Sequence, residues 1–483
     1  MVFSSHIFVF YFLPAVLALY YACPKRGRQL LIALVSYAFY GWANPWFVLL
    51  MLFSTVVDFA AGKLISGQWR LPMFRGDPPA GDGLPGARQR KLALVVSICT
   101  NLALLGVFKY LPFAQRNINL ILDVFGETGI AVYDIVLPVG ISFYTFQSMS
   151  YSIDLYRGQA RPARDLLDFA CYVALFPQLV AGPIVRYRDL AEQLRERSHT
   201  VEKFTRGILF FSLGMAKKIL LANPMGDVAD TAFAAGSLAW HDAWFGVAGY
   251  AMQIYFDFSG YSDMAIGLGL MLGFEFLRNF NLPYLSASMT EFWRRWHISL
   301  STWLRDYLYI PLGGNRMGPA RTYVNLAVVM LLGGLWHGAE WTFVIWGALH
   351  GSLLALERWN GKKPIYGGLP KPIRRLATFA LVLITWVFFR ADSLAQAVEY
   401  IGFMFGFGGD TSGAALVGAT LYQPALVLVM VACVAIHALK LDTWDIAKKG
   451  LQPVKLVGAA IALTLAIAVM FTQSFNPFLY FRF

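Results

Sequence analysis

Charge is what this sequence has least of. Only 14% of its 483 residues are Asp, Glu, Lys or Arg, against 58% hydrophobic ones, a balance that excludes an ordinary soluble domain of this length. Acidic residues are scarcer still, with 28 against 40 basic ones and a net charge of +12. The Lys and Arg residues lie in short connections between apolar runs, as retained cytoplasmic loops would, so the positive balance does not signal nucleic acid. The four cysteines, Cys23, Cys99, Cys171 and Cys433, are scattered without paired spacing, which excludes a readable disulfide framework or cysteine metal site. No zinc spacing of His and Cys, no glycine-rich phosphate loop and no Gly-x-Ser-x-Gly elbow occurs. No metal and no bound cofactor are therefore expected.

What is present in quantity is apolar chain. Runs suited to crossing a bilayer, on the order of 20 residues each, recur at 6–22, 92–113, 205–221, 376–390 and 456–472. The first has neither the basic start nor the cleavage pattern of a signal peptide and is read as a membrane segment. Lys25, Arg26 and Arg28 follow it, "GWANPW" is uncharged, and Arg70, Arg75, Arg88, Arg90 and Lys91 cluster next, which points the N-terminus outward. Residues 66–91, rich in Pro, Gly and Asp, read as a cytoplasmic loop. No other stretch has the composition of a separate domain, so residues 1–483 read as a single membrane-embedded domain.

Two apolar stretches break the alternation of sides. Residues 167–185 have arginines before and after, and "MTEFWRRWHISLSTWLRDYLYIPLGGNR", 289–316, carries arginines through its length. Both read as re-entrant, and backbone of that kind at membrane depth must be buried in protein or line a cavity. The expectation is an all-α polytopic membrane protein with roughly eleven transmembrane helices plus re-entrant segments.

Among the seven histidines, His6, His199 and His241 read as loop or interface residues, and His350 and His437 as rings reaching headgroups from the ends of apolar runs. His337 differs, because "VVMLLGGLWHGAEWTFVIWGALHG" is apolar almost throughout, and an ionisable residue there costs roughly 2.5 to 3.5 kcal/mol on insertion scales. It is the candidate general base, with Glu340 one turn along to orient it if the helix persists. His297 either packs among Trp293, Trp296 and Trp303 or takes part in the chemistry. Asp257 and Asp263, in "YFDFSGYSDMA", are read as interhelical hydrogen-bonding groups in preference to catalysts. Arg294, Arg295 and Arg305 around His297 either anchor headgroups or hold the phosphates of a donor.

"EFWRRWHISLSTWLRDYLYIPLGGNR", followed by "LWHGAEWTFVIWGALHG", resembles the membrane-bound O-acyltransferase family. "LPVGISFYTFQSMSYSIDLYRG" and "FPQLVAGPIVRY" are similar to its bacterial branch that acetylates alginate. The resemblance implies tilted helices around a central tunnel that joins two funnels, His337 as the essential histidine and His297 as the second, donor-side one. It further implies acetyl-coenzyme A as donor substrate, O-acetylation of an exported polysaccharide at the bacterial cytoplasmic membrane, and three kinds of partner: an extracytoplasmic esterase-like acetyltransferase, polysaccharide synthesis and export machinery, and membrane lipids. Within the class the alternative is acyl transfer from a phosphopantetheine carrier. Outside it, a transporter would show internal repeats, and a scaffold would need no buried histidine. The C-terminal tail, 473–483, is expected outside the cytoplasm. Its aromatic residues form either an interfacial belt or, with Tyr480 activated by His337, an acyl relay resembling a tyrosine motif of the family's partners.

Overall fold

Every regular element among the described residues is helical, as the recurring apolar runs require. The computed structural model describes the chain apart from residues 1, 43, 75–85, 181, 409–413, 449, 474–477 and 480–483. The chain packs as two compact units, residues 1–204 with 268–276, and 205–267 with 277–483.

The first unit contains α1 (Leu13–Ala22), α2 (Arg28–Gly41), α3 (Trp46–Ile65), α4 (Ala87–Leu105), α5 (Leu111–Val124), α6 (Ile141–Tyr156), α7 (Leu166–Ala174), α8 (Phe176–Leu179) and α9 (Tyr187–Arg195). A π turn at Gly106–Tyr110 joins α4 to α5, where Pro112 cannot donate to the preceding turn. Buried polar groups tie three of these helices together. Asp58 on α3 accepts from Ser97 Oγ at 2.6 Å and from Asn101 Nδ2 at 2.9 Å on α4, and Ser97 Oγ meets Ser152 Oγ on α6 at 2.7 Å. The stretch 167–185 forms no spanning helix: α7 and α8 are nine and four residues long, about 14 and 6 Å at 1.5 Å per residue. Within 66–91, α4 already begins at Ala87, and residues 75–85 lie outside the described residues.

The second unit takes up α10 (Val201–Ala216) from residue 205 on, then α11 (Asn223–Ala234) and α12 (Trp240–Met271) as far as residue 267. It continues with α13 (Met289–Arg295), α14 (Ile298–Leu304), α15 (Gly318–His337), α16 (Trp341–Trp359) and α17 (Lys371–Arg390), then α18 (Leu394–Met404), α19 (Ala414–Leu421), α20 (Pro424–Ala438), α21 (Thr443–Lys448) and α22 (Pro453–Thr472). Paired glycines let α10 and α12 touch. A Cβ on Gly267 would lie 2.5 Å from the Gly207 carbonyl oxygen, and one on Gly260 would lie 2.7 Å from that of Gly214. This is the small-residue contact by which membrane helices approach closely. Beside it, Lys217 pairs with Asp263 at 2.6 Å and Lys218 with Asp257 at 2.9 Å. Both aspartates therefore bond between elements, as their sequence context suggests.

Five helical stretches are long and apolar enough to cross a membrane among the described residues: Trp46–Ile65, Ala87–Val124, Val201–Ala234, Lys371–Arg390 and Pro453–Thr472. The run at 6–22 forms the shorter Phe8–Ala22. At 16 residues α6 is shorter than these stretches, and it carries a buried polar face of Ser142, Thr145, Gln147, Ser148, Ser150, Ser152 and Asp154.

The stretch 289–316 also stays short. Here α13 and α14 have seven residues each, about 10 Å, and a π turn at Arg305–Tyr309 follows. The start of α13 is held from another helix. The buried carboxylate of Glu357, on α16, accepts from Met289 N at 2.5 Å, Thr290 N at 2.9 Å and Thr290 Oγ1 at 2.7 Å, an anion on the positive end of a helix. Glu357 thus lies inside the protein.

Candidate active site

His337 is the last residue of α15. Gly338 is extended (φ −155°, ψ 146°), and the helix stops there. A Cβ at Gly338 would collide with the Phe343 ring, so the turn is as tight as glycine permits. Glu340 is the N-cap of α16. The continuous helix that would set Glu340 one turn along from His337 is not formed; the apolar run 328–351 is a hairpin of two helices. Gly334 and Gly347 bring the pair together, each facing a backbone carbonyl of the opposite helix, Phe343 and Met330 respectively. The buried His337 ring sits among Trp336, Trp346 and Phe389, with centroids at 5.1, 5.2 and 5.2 Å.

His297 occupies the bend between α13 and α14. Its φ of +41° lies in the left-handed region, which costs a non-glycine residue about 1–2 kcal/mol and turns the chain sharply enough to aim the ring inward. Asn279 holds this bend from outside the helices. Its carbonyl accepts from Ile298 N at 2.9 Å, and its Oδ1 accepts from Ser299 N at 3.2 Å and Ser299 Oγ at 2.9 Å. The same Oδ1 lies 3.2 Å from His297 Nδ1. Phe258 meets the His297 ring edge-on at 4.7 Å. The His297 and His337 ring centroids are 6.4 Å apart, so the two histidines singled out in the sequence meet in one cluster.

A cavity of about 200 Å³ opens beside His337. Its wall is mostly aliphatic and tryptophan, with Ser301, Arg305 and Tyr309 joining His337 as groups able to bond a polar ligand. Arg305 is 60% exposed and pairs with Asp306 at 2.7 Å. The three candidate arginines separate. Arg295 is tied to Glu291 at 2.8 Å and to the Asn281 carbonyl at 3.1 Å. Arg294 is exposed and lines no part of the cavity. Only Arg305 of the three is on its wall.

His350 and His437 are not headgroup residues. His350 is fully buried and its Nδ1 accepts from Trp293 Nε1 at 3.2 Å, which fixes an indole of the cavity wall. His437 is buried against Tyr255, with centroids 4.9 Å apart, and its Nδ1 lies 2.9 Å from the Cys433 carbonyl oxygen. The aromatic residues that enclose them come from distant parts of the sequence, which run ends do not reveal. Tyr480 lies outside the described residues. Just before it, Leu479 N donates to Asp257 Oδ2 at 2.7 Å, and Phe478 stacks on Tyr261 at 4.5 Å and lies 6.0 Å from Phe258. Among the described residues no group of three His, Cys, Asp or Glu side chains is placed to hold a metal.

Residues 160–360 match the profile of the membrane-bound O-acyltransferase family. A "Probable alginate O-acetylase" of Azotobacter vinelandii is 44% identical, the match covering 100% of both chains. The chain belongs to the membrane-bound O-acyltransferase family. A Pseudomonas aeruginosa protein of the same description is 48% identical over 84% of this chain and 75% of its own. A "Peptidoglycan O-acetyltransferase" of Helicobacter pylori is 32% identical over 100% of this chain and 98% of its own. This membrane-bound O-acyltransferase is accordingly a multi-pass membrane enzyme, and the histidine cluster lies inside its matched region.

Proposed function

We propose that this O-acyltransferase moves an acetyl group from a cytoplasmic thioester, acetyl-coenzyme A, to hydroxyls of an exported polysaccharide, alginate in the first instance, at the bacterial cytoplasmic membrane. The observation that carries the reading is the meeting of His337 with His297 at 6.4 Å beside an apolar cavity that also holds Arg305. Acetyl transfer between a thioester and a hydroxyl needs one base and a water-poor site. His337 takes the proton of the accepting hydroxyl as its oxygen bonds to the acyl carbon. The carbon–sulfur bond then breaks, and the proton passes to the departing sulfur, giving ester and thiol. Arg305 holds a donor phosphate, which its planar guanidinium can grip through two hydrogen bonds.

The tail beyond residue 472 emerges outside the cytoplasm in this reading, and the first acceptor is the Tyr480 phenol. The acyl-tyrosine then passes the group to an extracytoplasmic, esterase-like partner acting with the polymer's export machinery. Support comes from the fixed position of Phe478 and Leu479 against α12, the helix whose Phe258 touches His297. The test is thiol release from acetyl-coenzyme A by purified protein, with mass spectrometry of the tail. Wild type releases thiol and carries an acyl adduct on Tyr480, while Tyr480→Phe still binds donor and transfers nothing. Full polymer acetylation by Tyr480→Phe returns the tail to an aromatic belt. No thiol release from any pantetheine thioester overturns the proposal.

A further inference from the structure

Asn279 receives no role from the acyl-transfer reading, yet it is almost fully buried and makes its side-chain contacts at the bend that carries His297. Which of its two amide atoms faces that bend is settled by a neighbour. The backbone N–H of Ser299 can only donate, and it points to this atom at 3.2 Å. An NH2 group there would set two donors against each other, so the atom is the oxygen. An amide oxygen can only accept. At 3.2 Å from His297 Nδ1, it calls for a proton on Nδ1, because the Ser299 hydroxyl, 3.4 Å from the same nitrogen, has its one proton engaged with Oδ1 at 2.9 Å. In a neutral ring the other nitrogen, Nε2, then carries a lone pair and no hydrogen. That atom is buried and has no hydrogen-bond partner among the described residues, and such an atom in a folded protein calls for an explanation.

We propose that Asn279 is a positioning residue of this enzyme, one that locks His297 as the Nδ1–H tautomer so that Nε2 meets the reacting groups as a proton acceptor only. The inference rests on the acyl-transfer reading for the identity of those groups, but not for the tautomer itself. It divides the labour between the two histidines. From Nε2, neutral His297 cannot donate to the acyl carbonyl, so the charge that develops on that oxygen must be met by other donors. Nε2 instead accepts a hydrogen bond from the donor's pantetheine amide N–H or from the thiol released. Ser299 reinforces the lock, because its Oγ donates to the same Oδ1 at 2.9 Å and keeps the oxygen from rotating away. The same side chain also braces the loop by accepting from Ser299 N and Oγ, as the Asn279 carbonyl does from Ile298 N at 2.9 Å, so the tautomer of His297 is the readout that separates a lock from a brace.

The experiment is nitrogen NMR of full-length protein labelled with 15N in its histidine rings, in lipid nanodiscs at neutral pH. The His297 signals are assigned by their loss in His297→Asn. The expected result is a bare Nε2 and a protonated Nδ1. Asn279→Leu should mix the tautomers and lower the turnover number for thiol release about 10- to 100-fold, by analogy with the loss of partners that fix the tautomer of metal-bound histidines, with little change in donor KM. Asn279→Asp keeps an acceptor oxygen and should restore both tautomer and rate. A protonated Nε2 in wild type overturns the proposal without any variant having to fold. So does Asn279→Leu with wild-type tautomer and turnover. Should wild type show the expected tautomer but release no thiol, the acyl-transfer reading fails while the lock stands.

Discussion

The His297 and His337 rings lie 6.4 Å apart although one sits in the bend before α14 and the other at the end of α15. One is set by a left-handed bend, the other by the end of a helix at Gly338. Neither is exposed.

His337→Ala should leave insertion and folding unchanged, because the ring contributes contacts to an aromatic cluster that Trp346 and Phe389 still form between themselves at 5.2 Å. Polymer acetylation should fall by about 10²- to 10⁴-fold, the range for loss of a positioned base. Acetylation near the wild-type level removes His337 from the chemistry.

The three arginines should part company when each is changed to Ala. Arg305→Ala weakens donor binding by about tenfold or more, since each of the two charge-assisted hydrogen bonds it loses is worth about 1.5–3 kcal/mol, with thermal stability unchanged. Arg295→Ala lowers stability, because it frees Glu291 and the Asn281 carbonyl, while Arg294→Ala does little to either. Calorimetric titration with coenzyme A and thermal unfolding separate the outcomes. Equal donor affinity in Arg305→Ala and wild type would leave that residue as a headgroup anchor.

Glu357→Ala removes a buried acceptor of three hydrogen bonds at the start of α13. The start of α13, buried at Met289, then has unmet N–H groups, at a cost of about 1–3 kcal/mol. The fall in unfolding temperature should be accompanied by lost turnover, since α13 leads directly into His297. Glu357→Gln, which still offers one oxygen, should lie between.

The Lys218–Asp257 pair is buried on both sides. Lys218→Met leaves an uncompensated carboxylate and should destabilise by about 3 kcal/mol, whereas Lys218→Met with Asp257→Asn should cost less than the two changes summed. Unfolding of the four proteins in a double-mutant cycle measures the difference. Simple additivity would mean the pair carries no coupling.

Much of the fold was legible because a membrane segment announces itself by length and hydropathy alone, as at 376–390 and 456–472. The breaks were harder to see. The stretch 328–351 stays apolar across Gly338 and Ala339, so its hairpin shows only as a glycine in the structure. His350 and His437 looked peripheral because their partners, Trp293 and Tyr255, come from other helices. Arg294, Arg295 and Arg305 looked alike because they are near in sequence, yet the bend at His297 sends α13 and α14 in different directions. Asn279 gave no signal in "LRNFNLPY", a loop like any other until its oxygen is seen to serve Ser299 and His297 together.

The bend at His297 also restricts what inheritance can do with this position. A φ of +41° suits glycine and asparagine far better than most residues, so a single mutation away from histidine is filtered by the backbone before chemistry has any say. Drift toward Val or Ile is closed, because β-branched side chains tolerate that conformation worst. A descendant of this chain that abandons the imidazole yet keeps its fold should carry Asn or Gly at residue 297, and one that carries anything bulkier should have rebuilt the turn first.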